Sequence, residues 1–235
     1  LKNLALPPLV VVDTNILVDA LVDKIAHNLE LASETSLDLF EHDNFHKVLK
    51  SRADAGRINL WLPSIVKHEL TELSKRHGKL KAKFSSSLVK PEVLESVLDD
   101  NKISKLVDEI ISEYSRWRPL NIHTERDAMD EQSDQEISHF LSEFYEIYDE
   151  LTDMKLTRDP KQNRTEINGK AIFPEPADRE IMAICRNLAS QSLEGLGSIL
   201  VATRDGDFTL TARAFEERFG YGIIKNSKML NSWLN

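Results

Sequence analysis

Two aspartates follow short apolar runs, and aspartates in such places can do chemistry. Asp13 ends the run 9–12, whose four residues are Leu-Val-Val-Val. Asp205 comes shortly after a second apolar run, 198–202. Such runs are typical of strands buried on both faces of a parallel sheet, and ligands bind at the carboxyl edge of such sheets. We therefore expect both carboxylates at that edge, although each residue alone also fits an ordinary strand-to-helix turn.

Two predicted helices carry an acid on the apolar face. Glu69 falls within the apolar arc of the helix that begins at Ser64, and Asp178 stands at the start of the apolar stripe of the helix 177–192. A buried carboxylate must be paired, hydrogen-bonded or bound to a metal, because an isolated buried charge is too costly. A buried salt bridge is the alternative for Glu69. A first-turn acid favoured by the helix dipole is the alternative for Asp178.

Four carboxylates at one edge of a sheet would repel one another, and a bound cation is the simplest arrangement that lets them coexist. The set contains oxygen donors and no histidine or cysteine, which favours Mg²⁺ or Mn²⁺ over zinc. Neighbouring polar residues have ordinary structural interpretations. Thr14 and Asn15 are suited to cap the helix after the first strand, and Asp207 is suited to cap the helix after the third.

Alternating strands and helices must position these residues. Strands are predicted at 9–12, 57–62, 198–202 and 221–224. Helices are predicted at 16–31, 34–50, 64–73, 91–117, 130–151, 177–192, 208–219 and 227–234, and the polar stretch 152–176 is predicted to be a long surface loop. This order predicts an α/β fold with a central parallel sheet covered by helices on both faces. We expect a single domain, 1–235, with a helical insertion at about 90–176.

Composition narrows the function. The 235 residues carry a formal net charge of -9, which argues against a general affinity for nucleic acid but permits a local basic surface. With one cysteine, Cys185, no internal disulfide is possible, and we expect an intracellular, cytoplasmic protein in which this residue belongs to the core. We expect no membrane span and no signal peptide. Because the chain begins with leucine, we also expect it to derive from a longer protein.

Four segments, in this order, resemble the four motifs of the PIN-domain nucleases. They are Val12-Asp13-Thr14-Asn15, Lys67-His68-Glu69-Leu70, Ala177-Asp178-Arg179-Glu180-Ile181 and Thr203-Arg204-Asp205-Gly206-Asp207-Phe208. The resemblance covers residues 8 to about 84 and 176 to about 225. The stretch between them is longer than in compact members of the family, so the chain is more similar to the larger PIN-like proteins.

The resemblance implies a three-layer α/β/α fold and an Mg²⁺- or Mn²⁺-dependent endoribonuclease that hydrolyses phosphodiester bonds of single-stranded RNA. The acids that would bind one or two ions and carry catalysis are Asp13, Glu69, Asp178 and Asp205. Asn15 and Thr203 would orient these carboxylates, and Asp207 would be a further ligand through water or only a helix cap. Nothing in the residues themselves separates RNA from DNA.

Cations after the Glu69 helix are candidates for binding the substrate. They are Lys75, Arg76, Lys79, Lys81 and Lys83, with Phe84 as a candidate for stacking on a base. A solvated helix end is the alternative for this cluster. For the whole chain, the alternative function is a catalytically silent PIN-like module that binds RNA or a protein partner. A protein inhibitor, or self-association through the insertion, is also compatible with the sequence.

Overall fold

The computed structural model describes residues 6–33, 44–75, 80, 84, 90–119, 131–152, 156–159, 164–167, 170–171, 176–190 and 197–234. The strands are β1 (Leu9–Val12), β2 (Asn59–Trp61), β3 (Leu156–Asp159), β4 (Arg164–Ile167), β5 (Lys170–Ala171), β6 (Ile199–Ala202) and β7 (Tyr221–Ile224). The helices are α1 (Thr14–Ser33), α2 (Phe45–Asp54), α3 (Ser64–Ser74), α4 (Pro91–Val97), α5 (Asp100–Ser115), α6 (Glu131–Thr152), α7 (Pro176–Ser190), α8 (Gly206–Phe219) and α9 (Ser227–Leu234).

Four of the strands form an all-parallel sheet in the order β2-β1-β6-β7, which confirms the predicted α/β class. All residues of β1, β6 and β7 are buried. These strands therefore lack the polar face of a half-exposed sheet, as their apolar runs predicted. A separate antiparallel sheet has the order β3-β4-β5.

The chain divides into two compact units, and neither is continuous in sequence. One unit comprises 12–119 and 226–235. In it, α1 packs against α2, α3, α4 and α5, while α5 also packs against α3 and β2. Helix α9 packs on α2, where Arg52 Nη2 donates to Asn231 Oδ1 at 2.9 Å. This unit contains Asp13 and Glu69.

The other unit comprises 1–11 and 120–225. Strand β6 pairs with β7 in parallel, with Ile199 opposite Tyr221. Helix α7 packs against β6, β7 and α6, and α8 packs against β7. An aromatic cluster of Phe140, Phe215, Phe219 and Tyr221 joins α6, α8 and β7, with ring centroids 5.2 to 6.4 Å apart. This unit contains Asp178 and Asp205.

Three predictions about elements were wrong. The single helix predicted at 91–117 is two helices, because Asp99 caps α5 by accepting from the backbone N of Asn101 at 3.0 Å. The loop predicted at 152–176 contains β3, β4 and β5. The helix predicted at 34–50 begins at Phe45 and extends to Asp54, and residues 34–43 lie outside the described part of the chain.

Of the helices that the structure describes, none combines the length and the apolar character that crossing a bilayer requires. The prediction of one domain with an inserted helical segment stays a prediction.

Candidate functional site

Asp13 follows β1 directly and is buried, with 4% of its surface exposed. Both of its carboxylate oxygens accept hydrogen bonds. The backbone N of Thr14 donates to Oδ1 at 2.5 Å, and Nδ2 of Asn15 donates to Oδ2 at 2.6 Å. Asn15 thus contacts the carboxylate that it was predicted to orient, and its role at a metal site stays a prediction. The first donor is also the first backbone N–H of α1, at the positive end of the helix dipole.

Glu69 lies in the second turn of α3 and is half-buried. Its Oε2 accepts a hydrogen bond of 2.6 Å from Oγ1 of Thr14. Within the part of the chain that the structure describes, Glu69 forms no ion pair with a lysine, arginine or histidine. Among the described residues, the salt-bridge alternative for this carboxylate is therefore not realised.

Thr14 links these two acids, and sequence reasoning missed that role. We predicted a helix cap, but α1 begins at Thr14 itself, and the hydroxyl group donates to Glu69 instead of accepting from the helix. The residue type was the only available signal, because a hydroxyl group beside an acidic motif can serve either purpose. Its direction depends on α3, which is distant in sequence.

The remaining acids belong to the other unit. Asp178 lies in the first turn of α7 and is half-buried, as is Asp205. Thr203 follows β6 directly and is fully buried. Its Oγ1 accepts from the backbone N of Asp205 at 3.0 Å, and its own N donates to Ile224 O at 3.0 Å. Thr203 therefore fixes the backbone that leads into Asp205.

Asp207 is not the N-cap that we predicted. Helix α8 begins at Gly206, so Asp207 lies inside its first turn, and its side chain is outside the described residues.

The predicted substrate cations are described only at Lys75. This residue is exposed, and its Nζ lies 2.6 Å from Oε1 of Glu72. The others, Arg76, Lys79, Lys81 and Lys83, lie outside the described residues. Phe84 is 1% exposed, so the prediction that it stacks on a base was wrong. Its ring contributes to the core.

The donor set on the first unit fits a hard divalent cation, since Asp13 and Glu69 supply carboxylate oxygens and their neighbours supply donors that orient them. Over the described ranges, no group of three or more histidine, cysteine, aspartate or glutamate side chains is gathered closely enough to hold a metal ion. Of the four predicted metal ligands, Asp13 and Glu69 are therefore the two that described hydrogen bonds connect, through Thr14.

A pocket of about 520 Å³ lies elsewhere on the same unit, among α1, α2 and α5. Its charges are matched internally. Asp23 Oδ2 lies 2.5 Å from Lys47 Nζ and 3.2 Å from His46 Nε2, and Lys50 pairs with Glu113. Because the cations already have anionic partners, the pocket has no excess of one charge with which to attract a charged ligand.

Cys185 is fully buried on α7, as predicted for a core residue. Burial raises the pKa of its thiol well above the ordinary value. A thiol that stays protonated at neutral pH is a poor nucleophile.

No family model matches the chain, and neither a curated protein nor a solved structure gives a match.

Proposed function

We propose that this chain is a metal-dependent endoribonuclease with a PIN-like, three-layer α/β/α fold, acting on single-stranded RNA inside the cell. One observation carries the proposal. A buried aspartate at a strand end accepts a hydrogen bond from the backbone N–H of Thr14, and the hydroxyl group of the same residue donates to Glu69 of α3, which has no cationic partner among the described residues. Two carboxylates that one residue holds in fixed orientations supply the oxygen ligands that a hard divalent cation prefers.

In this proposal Asp13 and Glu69 would hold Mg²⁺ or Mn²⁺ through their carboxylate oxygens. Such an ion would supply activation of water for attack and would offset charge on the scissile phosphate. Asn15 and Thr14 keep the two carboxylates in place through the hydrogen bonds described above. The sequence motifs nominate Asp178 and Asp205 as further ligands, and Thr203 positions Asp205.

The proposed substrate class rests on the motifs and on the basic segment that follows α3. Single-stranded RNA follows from the resemblance in the motifs, and the basic segment from Lys75 to Lys83 is the candidate surface for its phosphates. The single cysteine supports an intracellular setting.

Cleavage of end-blocked, single-stranded oligonucleotides tests the function. We expect internal cuts in RNA with Mn²⁺ or Mg²⁺ and none with EDTA. Asp13→Asn, Glu69→Gln and Asp205→Asn should each lower the rate by at least ~100-fold, because each removes a ligand charge. A matched DNA substrate separates the two nucleic acids.

Glu72→Gln is the matched control. It removes an acid from the same helix as Glu69, but one whose carboxylate pairs with Lys75 on the surface. We expect it to retain cleavage at nearly the wild-type rate. Equal activity of the wild type and the Asp13 variant would identify a contaminating nuclease and refute the proposal. Metal-independent RNA binding without any cleavage would instead support the silent binding module.

A further inference from the structure

Thr14 is the structural link between the two acids of the first unit. Its backbone N–H donates to Asp13 Oδ1 at 2.5 Å, and its hydroxyl group donates to Glu69 Oε2 at 2.6 Å. One residue thus contacts both carboxylates, and the second contact joins positions 55 residues apart in the chain. The distance from the hydroxyl group is in the range of O–H hydrogen bonds to charged acceptors.

Two opposing requirements meet at such a link. A cation binds best when its ligands are already close together, yet two carboxylates repel when no cation is present. A neutral donor that contacts both acids reduces this conflict, because each negative group then faces a positive hydrogen. Threonine is suited to the task because branching at Cβ restricts χ1, which limits the directions that the hydroxyl group can take.

We propose that Thr14 is a positioning residue that holds Glu69 in register with Asp13 and so sets the affinity of this site for a divalent cation. The inference rests on the proposed function in requiring a cation at these acids. It does not depend on the substrate or on cleavage. Thr14 acts through Glu69 and need not touch the metal or the nucleic acid.

Calorimetric titration of Mn²⁺ alone into the full chain, without nucleic acid, tests the inference. Thr14→Val keeps the shape of the side chain and removes the hydroxyl group, and it should weaken Mn²⁺ binding roughly 10- to 100-fold, as loss of such orienting groups does elsewhere. Thr14→Ser restores the donor and should stay within a few-fold of the wild type. Thr14→Ala provides a second deletion of the hydroxyl group should the valine variant fail to fold.

Thr71→Val is the matched control, since that hydroxyl group, on α3 like Glu69, donates to the carbonyl of Lys67 at 2.8 Å. A merely structural role is separated by a cycle with Glu69→Ala, which removes the acceptor of the Thr14 hydroxyl group. In that background, Thr14→Val should change Mn²⁺ affinity by less than two-fold, because its target is gone.

The outcomes distinguish the inference from the proposed function. Unchanged Mn²⁺ affinity in Thr14→Val and Thr14→Ala would overturn the inference. It would not refute the proposed nuclease activity. Weakened binding in both, together with a wild type that cuts no nucleic acid, would support the inference and refute the nuclease. A wild type that binds no Mn²⁺ would overturn both.

Discussion

Two buried tyrosines differ in what their hydroxyl groups contact. Tyr114 Oη donates to the carbonyl of His46 at 3.1 Å. Tyr221 Oη, on β7, is buried with no hydrogen-bond partner among the described residues. A buried polar group without a partner costs free energy, whereas a satisfied group costs free energy only when its partner is removed. The same chemical deletion should therefore have opposite signs at the two positions.

We expect Tyr114→Phe to lower the free energy of unfolding by about 1 kcal/mol, because the carbonyl of His46 loses its donor. Tyr221→Phe should leave the free energy unchanged or raise it by up to about 1 kcal/mol. Urea unfolding followed by circular dichroism measures both, with each variant as the control for the other. Equal losses would show that the Tyr221 hydroxyl group is satisfied.

Residue type also decided how much of the candidate site could be predicted. Asp13 was identifiable because an apolar run stops at it, and Glu69 because an acid interrupts an apolar helical face. The contribution of Thr14 was not identifiable, because its contact with Glu69 depends on how α1 and α3 pack. Local patterns specify which groups are unusual, while long-range packing specifies which of them meet.

At the scale of elements, the entry into β6 depends on a close backbone approach. Gly197 N donates to Pro7 O at 3.3 Å, and Leu9 N donates to Ser198 O at 2.9 Å. A Cβ on Gly197 would lie against the carbonyl oxygen of Leu6 and 2.8 Å from that of Pro7. Only a glycine at position 197 allows the segment that leads into β1 to lie so close to it.

Gly197→Ala should therefore destabilise the protein by about 1–3 kcal/mol, as overpacking typically does. Gly206→Ala is the control, because a Cβ there meets nothing within 4 Å, and its effect on stability should stay within about 0.5 kcal/mol. Thermal unfolding of the two variants gives the comparison. A Gly197→Ala variant as stable as the wild type would mean that the chain before β1 moves aside freely.

An ion pair anchors α6 to α7. The guanidinium group of Arg186 lies 2.6 Å from Glu136 Oε2, and its Nη1 donates to the buried Ser133 Oγ at 2.9 Å. The Arg213–Glu217 pair within α8 is exposed at both ends. Solvent screens the exposed pair, whereas loss of Arg186 would also leave a buried hydroxyl group with one donor fewer.

We expect Arg186→Ala to lower the free energy of unfolding by about 1–2 kcal/mol, allowing for the partial exposure of Glu136. Arg213→Ala should leave the free energy of unfolding nearly unchanged, because solvent screens this exposed pair. Urea unfolding measures both. If the two losses were equal, α6 would not be fastened to α7 through this contact.

The burial of each strand decided whether the sequence predicted it. β1 and β6 were found because strands buried on both faces are continuously apolar. The antiparallel strands were missed because polar residues stand in register, with Thr157 opposite Glu166, so no apolar alternation marks them. Only the two residues between β4 and β5, Asn168-Gly169, carried a hairpin signal, and we interpreted them as part of a loop.

At the scale of the whole molecule, both compact units bury tyrosine or cysteine side chains in their protonated, uncharged form. Burial raises the pKa of Tyr114 in one unit and the pKa values of Cys185 and Tyr221 in the other. The folded state then keeps protons that the unfolded chain releases. Their contribution to stability is complete below the unfolded pKa values, which are about 8.5 for cysteine and 10 for tyrosine, and is lost as the pH rises beyond them.

We therefore expect the free energy of unfolding to be flat between about pH 7 and 8 and to fall above about pH 8.5, more steeply above pH 10. Urea unfolding over this range measures the slope. Tyr221→Phe should reduce the slope above pH 10, because it removes one of the groups. Stability that stays constant up to pH 10.5 would contradict the buried, protonated state of these side chains.

Helix α9 belongs with α2 although the whole of 120–225 separates them in the chain. During synthesis on a ribosome, α1 to α5 emerge long before their last partner exists. The surface of α2 that contacts Asn231 therefore stays exposed until the other compact unit has been translated. A translational pause or a chaperone in that interval would act on this surface. The order in which the two units complete their folding would then follow from the order of their segments in the chain and not from their stabilities.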